Sequence, residues 1–397
     1  MVNNLRHDNT RLQVVDALRG FALFLIFLIH NIQYFGIQFN YQSSCAWLND
    51  LNNFLFRSIF VLFGSKAFQI FSLLFGLTFF IQKRNLEQKG INATKFFLWR
   101  FFLLFCFGLF NSMFYYGDIL TIFSFVGIFL IPLSQLKNKW ILCIAVVLIF
   151  HPIEILKLIK SMVIPMDYVK DVFVFTNNGN GVNNILKDGS VLDVINNNLF
   201  YGKLSNFKLN FNVGRLSAIL AMFLMGLYAG RKWLFALNNA KTILFWKRLL
   251  KTSIILSVIL FVLYKYDFAS FGSDNIQKFI KFILLTVINT SIAFVIVSAF
   301  VLLFKIRLGF KLFNQFSFLG RMSLTNYILQ SVIGSFIYYG YGLGLYKFVG
   351  AVEAIIISVL LTVLLSIFSK YWLTKHLRGP FEALWHKSSW CFFRKFG

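Results

Sequence analysis

Charged residues are scarce in this 397-residue chain, making up 13% of it, where an ordinary soluble domain carries about 25%. Apolar side chains make up 58%, and a soluble domain is excluded on that balance. Acidic residues are scarcer still, 14 against 39 Lys and Arg, for a formal charge of +25. In a soluble protein that excess would point to nucleic acid. Here the basic residues cluster between apolar runs and flank their ends, so they read as topology signals and exclude a nucleic-acid partner. The four cysteines, Cys45, Cys106, Cys143 and Cys391, are scattered without metal-ligand spacing, so neither a disulfide framework nor a metal site follows. No small-residue cleavage site interrupts the first apolar run, which reads as a retained span. No internal repeat and no Gly-rich phosphate loop is visible. The 53 Phe and only four Pro are read as base composition and lipid-facing bulk, without functional weight.

Long apolar runs are abundant. A span needs roughly 17 to 25 mostly apolar residues, because in lipid every backbone polar group must bond within its own helix. That rule places spans near Val14–Tyr34, Phe54–Ile81, Phe96–Tyr115, Ile119–Leu136, Trp140–Ile159, Phe211–Gly230, Leu249–Tyr266, Phe279–Phe304, Phe316–Tyr339 and Val349–Trp372. Lys83, Arg84, Lys89, Lys95 and Arg100 follow the second span, and Arg231, Lys232, Lys241, Lys247, Arg248 and Lys251 the sixth, whereas Gly36–Asn53 has no Lys or Arg before Asn53. The positive-inside rule then puts both termini in the cytoplasm. The expected fold is an all-α polytopic integral membrane protein of about ten transmembrane helices. It forms a single domain, 1–397, with an extracytoplasmic loop at about 160–210 and a cytoplasmic tail from about 373. Within that loop Asn177–Asn184 is expected to be irregular, more a connector than a cap.

A charge at mid-span costs about 2.5 to 3.5 kcal/mol on insertion scales, so each one needs a partner or a purpose. Asp16 and Arg19 share a face of the first span. Arg19 and His30, eleven residues apart, return to nearly the same face about 16 Å along the axis. The same residues read equally as snorkelling anchors and a helix-end histidine. Asp118, in the turn joining the third and fourth spans, is placed on His30's side, either to orient that imidazole or to cap the fourth helix. Asn326 and Gln330 are one turn apart in the ninth span, with Arg321 and Thr325 on a neighbouring face. They suit a polar cavity or interhelical hydrogen bonds. Lys66 (with Gln69) and Arg215 are cations among apolar neighbours. His151 beside Pro152 and Glu353 rank lower, and His376 and His386 are assigned no chemistry.

These segments resemble the YeiB-like family of bacterial membrane proteins. The resemblance rests on RLQVVDALRGFALFLIFLIH at Arg11–His30, FSLLFGLTF at Phe71–Phe79 and GDILTIFSFVGIFLIP at Gly117–Pro132. It continues in GRLSAILAMFLMGLYAGR at Gly214–Arg231, GRMSLTNYILQS at Gly320–Ser331 and RGPFEALW at Arg378–Trp385. That family is similar to the transmembrane acyltransferase superfamily, one branch of which carries Arg or Lys, ten intervening residues, then His. Arg19 and His30 reproduce that spacing, although YeiB-like sequences often have Asn at the position of His30. The resemblance implies transfer of an acyl group, acetyl first, from cytoplasmic acyl-CoA to an extracytoplasmic hydroxyl or amine acceptor, a glycan among the options. His30 and Asp118 would be catalytic. Asp16, Arg19, Lys66, Arg215, Arg321, Asn326 and Gln330 would bind substrate or co-substrate. It implies a multi-pass protein of the bacterial inner membrane, whose partners are the lipid bilayer and acyl-CoA, and is compatible with a homo-oligomer. The alternatives are a transporter of a small or lipid-like solute through the same polar path and a non-catalytic scaffold.

Overall fold

The computed structural model describes residues 13–39, 41–163, 179–265 and 274–396. Among them no strand occurs, and 84% of them are helical. In chain order the helices are α1 (Gln13–Ile32), α2 (Ala46–Glu87), α3 (Ala93–Ser112), α4 (Leu120–Leu133), α5 (Asn138–Ile149) and α6 (Pro152–Val163). They continue as α7 (Gly179–Asp188), α8 (Val191–Asn197), α9 (Lys203–Asn212), α10 (Arg215–Arg231), α11 (Ala240–Lys265) and α12 (Asp274–Lys305). The last are α13 (Arg307–Phe313), α14 (Phe316–Arg321), α15 (Ser323–Tyr338), α16 (Ala351–Lys375) and α17 (Pro380–Phe396).

Among the described residues five helices are long and apolar enough to cross a membrane: α1, α2, α3, α16 and the Phe279–Lys305 part of α12. A sixth is counted if the pair Val191–Asn212 and α10, bent by 71°, is one broken span. On α11, Ile255, Val258, Ile259, Phe261 and Val262 are exposed, and on α16 so are Ile356, Val359, Leu360, Val363, Leu364 and Ile367. Apolar exposure on that scale is untenable against water. In lipid it costs nothing, and the chain is a membrane-embedded multi-pass protein.

Inside, α1 is the axis of the bundle: 78% of its most apolar stretch is buried, and it packs on α2, α14, α15 and α16. Its backbone approaches α14 closely, since a Cβ at Gly20 would lie 1.9 Å from the Phe316 carbonyl oxygen and one at Gly320 only 1.8 Å from that of Asp16. α2 and α10 meet in the same way, Gly226 against Leu73 and Gly76 against Phe223. Small residues substitute here for the hydrophobic drive that lipid removes.

Several expected elements are broken. The run expected to span Trp140–Ile159 splits at His151, whose φ of +52° ends α5 before Pro152 opens α6; a residue before proline is barred from the helical region, and Pro is at home in a first turn. Phe316–Tyr339 breaks at Met322 (φ −114°, ψ 39°), and α10 begins at Arg215, after Gly214 in the left-handed region (φ +61°). The stretch Asn177–Asn184, expected to be irregular, is helical from Gly179 onward; Asn177 and Asn178 lie outside the described residues. Packing overrides propensity there: Leu186 is fully buried against Tyr338 and Tyr339, and its carbonyl accepts from Gly340 N at 3.0 Å.

Candidate functional site

The polar side chains of α1 fall into two groups. At its N-terminal end Asp16 and Arg19 pair at 3.5 Å, and the Arg19 guanidinium donates to Thr78 Oγ1 at 2.6 Å. The i, i+3 spacing places both on one face, and Thr78 comes from the buried face of α2. Five residues further along α2, Lys83 reaches a cleft of about 280 Å³ between α2, α3 and α4, lined also by Glu87, Thr94, Phe97, Ile131 and Ser134. Lys83 donates to Ser134 Oγ at 2.8 Å, and Arg231 donates to the Ser134 carbonyl. Two cations thus cap the C-terminal end of α4, where the carbonyls lack helical partners.

At the other end, His30 is half-buried between two aromatic rings: Tyr115 with centroids 4.7 Å away and Phe35 at 5.5 Å. Tyr34 and Phe35 both have positive φ (46° and 52°), a strained conformation for side chains this large. Tyr339 Oη holds the Phe35 carbonyl at 2.8 Å and Tyr34 Oη donates to Val349 O at 2.8 Å, so the surrounding helices enforce the turn beside His30. Asn31 Oδ1 accepts from Tyr338 Oη at 3.0 Å. His30 itself makes no hydrogen bond with a described residue. Ring packing against Tyr115 and Phe35 orients its imidazole.

Asp118 lies on the turn that carries Tyr115, but its oxygens are engaged elsewhere. Asn111 Nδ2 donates to Oδ1 at 3.0 Å, while Thr121 N at 3.0 Å and Lys203 Nζ at 3.2 Å donate to Oδ2. The capping role expected for it is present; no hydrogen bond to His30 accompanies it. Lys203 pairs with the only carboxylate on this turn, a partnership that sequence reasoning missed because 85 residues separate the two.

Arg215, the first residue of α10, sits with its guanidinium 5.1 Å from the Phe68 ring centroid and acts electrostatically on the Tyr115 phenol. Among the described residues no carboxylate lies within ion-pair distance of it. Lys66 is buried in α2 and donates to the Val61 carbonyl; it joins neither group on α1. In α15, Asn326 is consumed by interhelical bonds, donating to Leu319 O at 3.2 Å and to Ser369 Oγ at 2.9 Å. Gln330 is buried, and its Oε1 has no partner among the described residues. It shares a face of α15 with Tyr327, whose hydroxyl accepts from Ile119 N at 3.2 Å, and with Gly334, against which the Phe35 ring packs. Arg321 ends α14 near the Asp16 end of α1.

Glu382 is not singled out in the sequence, and His151 ranks low there without a partner. Glu382 of α17 accepts from Leu324 N at 2.6 Å and from Thr325 Oγ1 at 2.6 Å, capping α15 from 57 residues away. His151 and Glu154 form a buried pair at 3.7 Å beneath Gly214, where any Cβ would meet the His151 Nδ1 at 2.1 Å.

An uncharacterized protein, YxaH of Bacillus subtilis (strain 168), is 28% identical over 402 residues, covering 96% of this chain and 95% of that protein. An uncharacterized 39.9 kDa protein from the amylase 3' region of Bacillus acidopullulyticus is 27% identical over 129 residues, 32% of this chain and 36% of that one. Residues 229–392, which hold Arg321, Asn326, Gln330 and Glu382 but neither group of α1, match the family described as a protein of unknown function (DUF418). Over that C-terminal part the chain is similar to the DUF418 family, and over nearly its whole length to YxaH, both of unknown function, in keeping with the YeiB-like resemblance.

Proposed function

We propose that the protein is a transmembrane acyltransferase. The observation that supports this reading is α1 itself: the most enclosed of the long apolar helices carries a cation at one end and, eleven residues on, an imidazole with no hydrogen bond to a described residue at the other. In the proposed topology about ten spans cross a bacterial inner membrane as one domain, both termini are cytoplasmic, and the His30 end faces outward. Acyl-CoA approaches from the cytoplasm, its phosphates near Arg19, Lys83 and the basic residues that follow α2. The acyl thioester reaches toward His30 along a path about 16 Å long. His30 removes the proton from an acceptor hydroxyl or amine as that atom attacks the thioester carbonyl. The C–S bond breaks, the CoA thiolate leaves and takes up a proton, and the acyl group stays on the acceptor. Asp118 and Lys203 then belong to the acceptor side of the site and do not orient the imidazole.

The test is transfer of labelled acetyl from acetyl-CoA on one side of a proteoliposome to acceptors on the other. His30→Ala is expected to abolish transfer in protein that remains folded. Solute uptake that survives His30→Ala, with no acetyl transfer by the parent, would favour the transporter instead.

A further inference from the structure

The polarity of α9 and of the π-helical turn before it, Asn198–Gly202, is reversed. Phe200, Leu204, Phe207 and Phe211 recur at helical spacing and are 68%, 56%, 37% and 42% exposed, while Asn198, Asn206 and Asn210 are buried. A helix that hides amides and shows phenylalanines to its surroundings is adapted to lipid on its outer face. Val191–Asn212 together with α10 also has the length and hydropathy of a span bent by 71°. The outward side chains therefore meet acyl chains.

The inward face closes over the turn from Asn111 to Thr121. Asn206 Nδ2 and Lys203 Nζ reach the Asp118 carbonyl at 3.4 and 3.3 Å, and Asn198 Nδ2 reaches Met113 O at 3.2 Å. Polar atoms outnumber partners there. The oxygens Asn111 Oδ1, Thr121 Oγ1, Asn198 Oδ1 and Asn210 Oδ1 are buried and have no hydrogen bond among the described residues. Native proteins seldom leave such oxygens unpaired, and water or ligand hydroxyls would satisfy them. Water does not answer for Arg215. At the head of α10 its guanidinium lies 5.1 Å from the Phe68 ring centroid, with no carboxylate within ion-pair distance among the described residues, and a cation set among apolar neighbours in a membrane calls for an anion.

We propose that this polar cluster, beside the head of α10, binds the headgroup of an anionic, hydroxyl-bearing phospholipid that enters sideways from the bilayer. The phosphate oxyanion sits on Arg215, the headgroup hydroxyls donate to the unpaired oxygens, and the acyl chains lie along the Phe200–Phe211 face. Combined with the acyltransferase reading, on which only this last step rests, it makes a lipid headgroup hydroxyl the acceptor.

Native mass spectrometry of the full chain titrated with phosphatidylglycerol or phosphatidylcholine tests this, with soluble glycerol phosphate as competitor. The parent is expected to retain one phosphatidylglycerol at least about tenfold more tightly than phosphatidylcholine. Arg215→Gln should remove that preference, Arg215→Lys keep part of it, and Lys247→Gln, on a different helix, leave it unchanged. Equal retention of the two lipids by the parent, or an Arg215→Gln variant that matches Lys247→Gln, would overturn the proposal. Displacement by glycerol phosphate would overturn the lipid source, since the site would then take a soluble phosphate. Acetyl-CoA binding is read separately, so loss of the lipid preference with CoA binding intact counts against this inference alone.

Discussion

His30 owes its setting to its neighbours: the strained Phe35 and the Tyr115 ring hold the imidazole, with no hydrogen bond to a described residue. His30→Ala should lower acetyl transfer by about 10² to 10⁴-fold, measured against a thermal unfolding control that stays within a few degrees of the parent. At the other end of the molecule Glu382 and His386 make the docking of α17 pH-dependent with opposite signs. Burial pushes the Glu382 carboxyl above its ordinary 4.5 despite its hydrogen bonds to Thr325 and Leu324, so the folded protein prefers it protonated. Stability from this group is full below 4.5 and is lost as pH rises through the raised value. Burial, then Arg378 and Arg100, push His386 down from 6.5 to about 4, so its contribution is full above 6.5 and is lost as pH falls toward 4. Each substitution should unmask the other group in melting temperatures between pH 4 and 7: Glu382→Gln leaves stability rising with pH, and His386→Gln leaves it falling. Glu382→Ala, which deprives Leu324 N and Thr325 of their acceptor, should cost about 1 to 3 kcal/mol at any pH. At this scale the sequence was legible where partners are local. The Asp16–Arg19 pair follows from spacing alone, and Asn326 found the interhelical bonds weighed for it. The Asp118–Lys203 and Thr325–Glu382 contacts cross 85 and 57 residues, and no periodicity announces them.

Elements were legible where hydropathy alone decides. α1, α2, α3, α12 and α16 follow apolar runs, and lipid permits no other backbone there. Breaks were not legible, because a broken helix keeps its apolar composition. Pro152 and Gly214 signal the splits at His151 and Arg215, yet each was absorbed into a hydropathy window. The close glycine contacts are likewise invisible to composition, since they depend on which helix comes to lie opposite. Gly226→Ala would push a Cβ to 1.9 Å from the Leu73 carbonyl oxygen, forcing α10 off α2. A loss of about 1 to 3 kcal/mol or more is expected, read as a lower melting temperature in nanodiscs, while Gly64→Ala, whose added Cβ meets only the Phe60 ring at an ordinary 3.5 Å, should stay near the parent.

For the whole molecule, membrane embedding follows from charge scarcity and is seen again in the exposed apolar faces of α11 and α16. Orientation rests on the distribution of Lys and Arg, and the exposed cysteines offer a direct check. Single-cysteine variants should react with an impermeant maleimide in intact cells at Cys45 and only after permeabilisation at Cys391; the reverse pattern would invert the proposed topology. The central claim is that one helix joins a cytoplasmic CoA site at Arg19 to an acyl-transfer centre at His30. Calorimetry of acetyl-CoA binding to the protein in nanodiscs tests it most directly. The account predicts binding by the parent, loss with Arg19→Ala and retention with His30→Ala; no binding by the folded parent would contradict it.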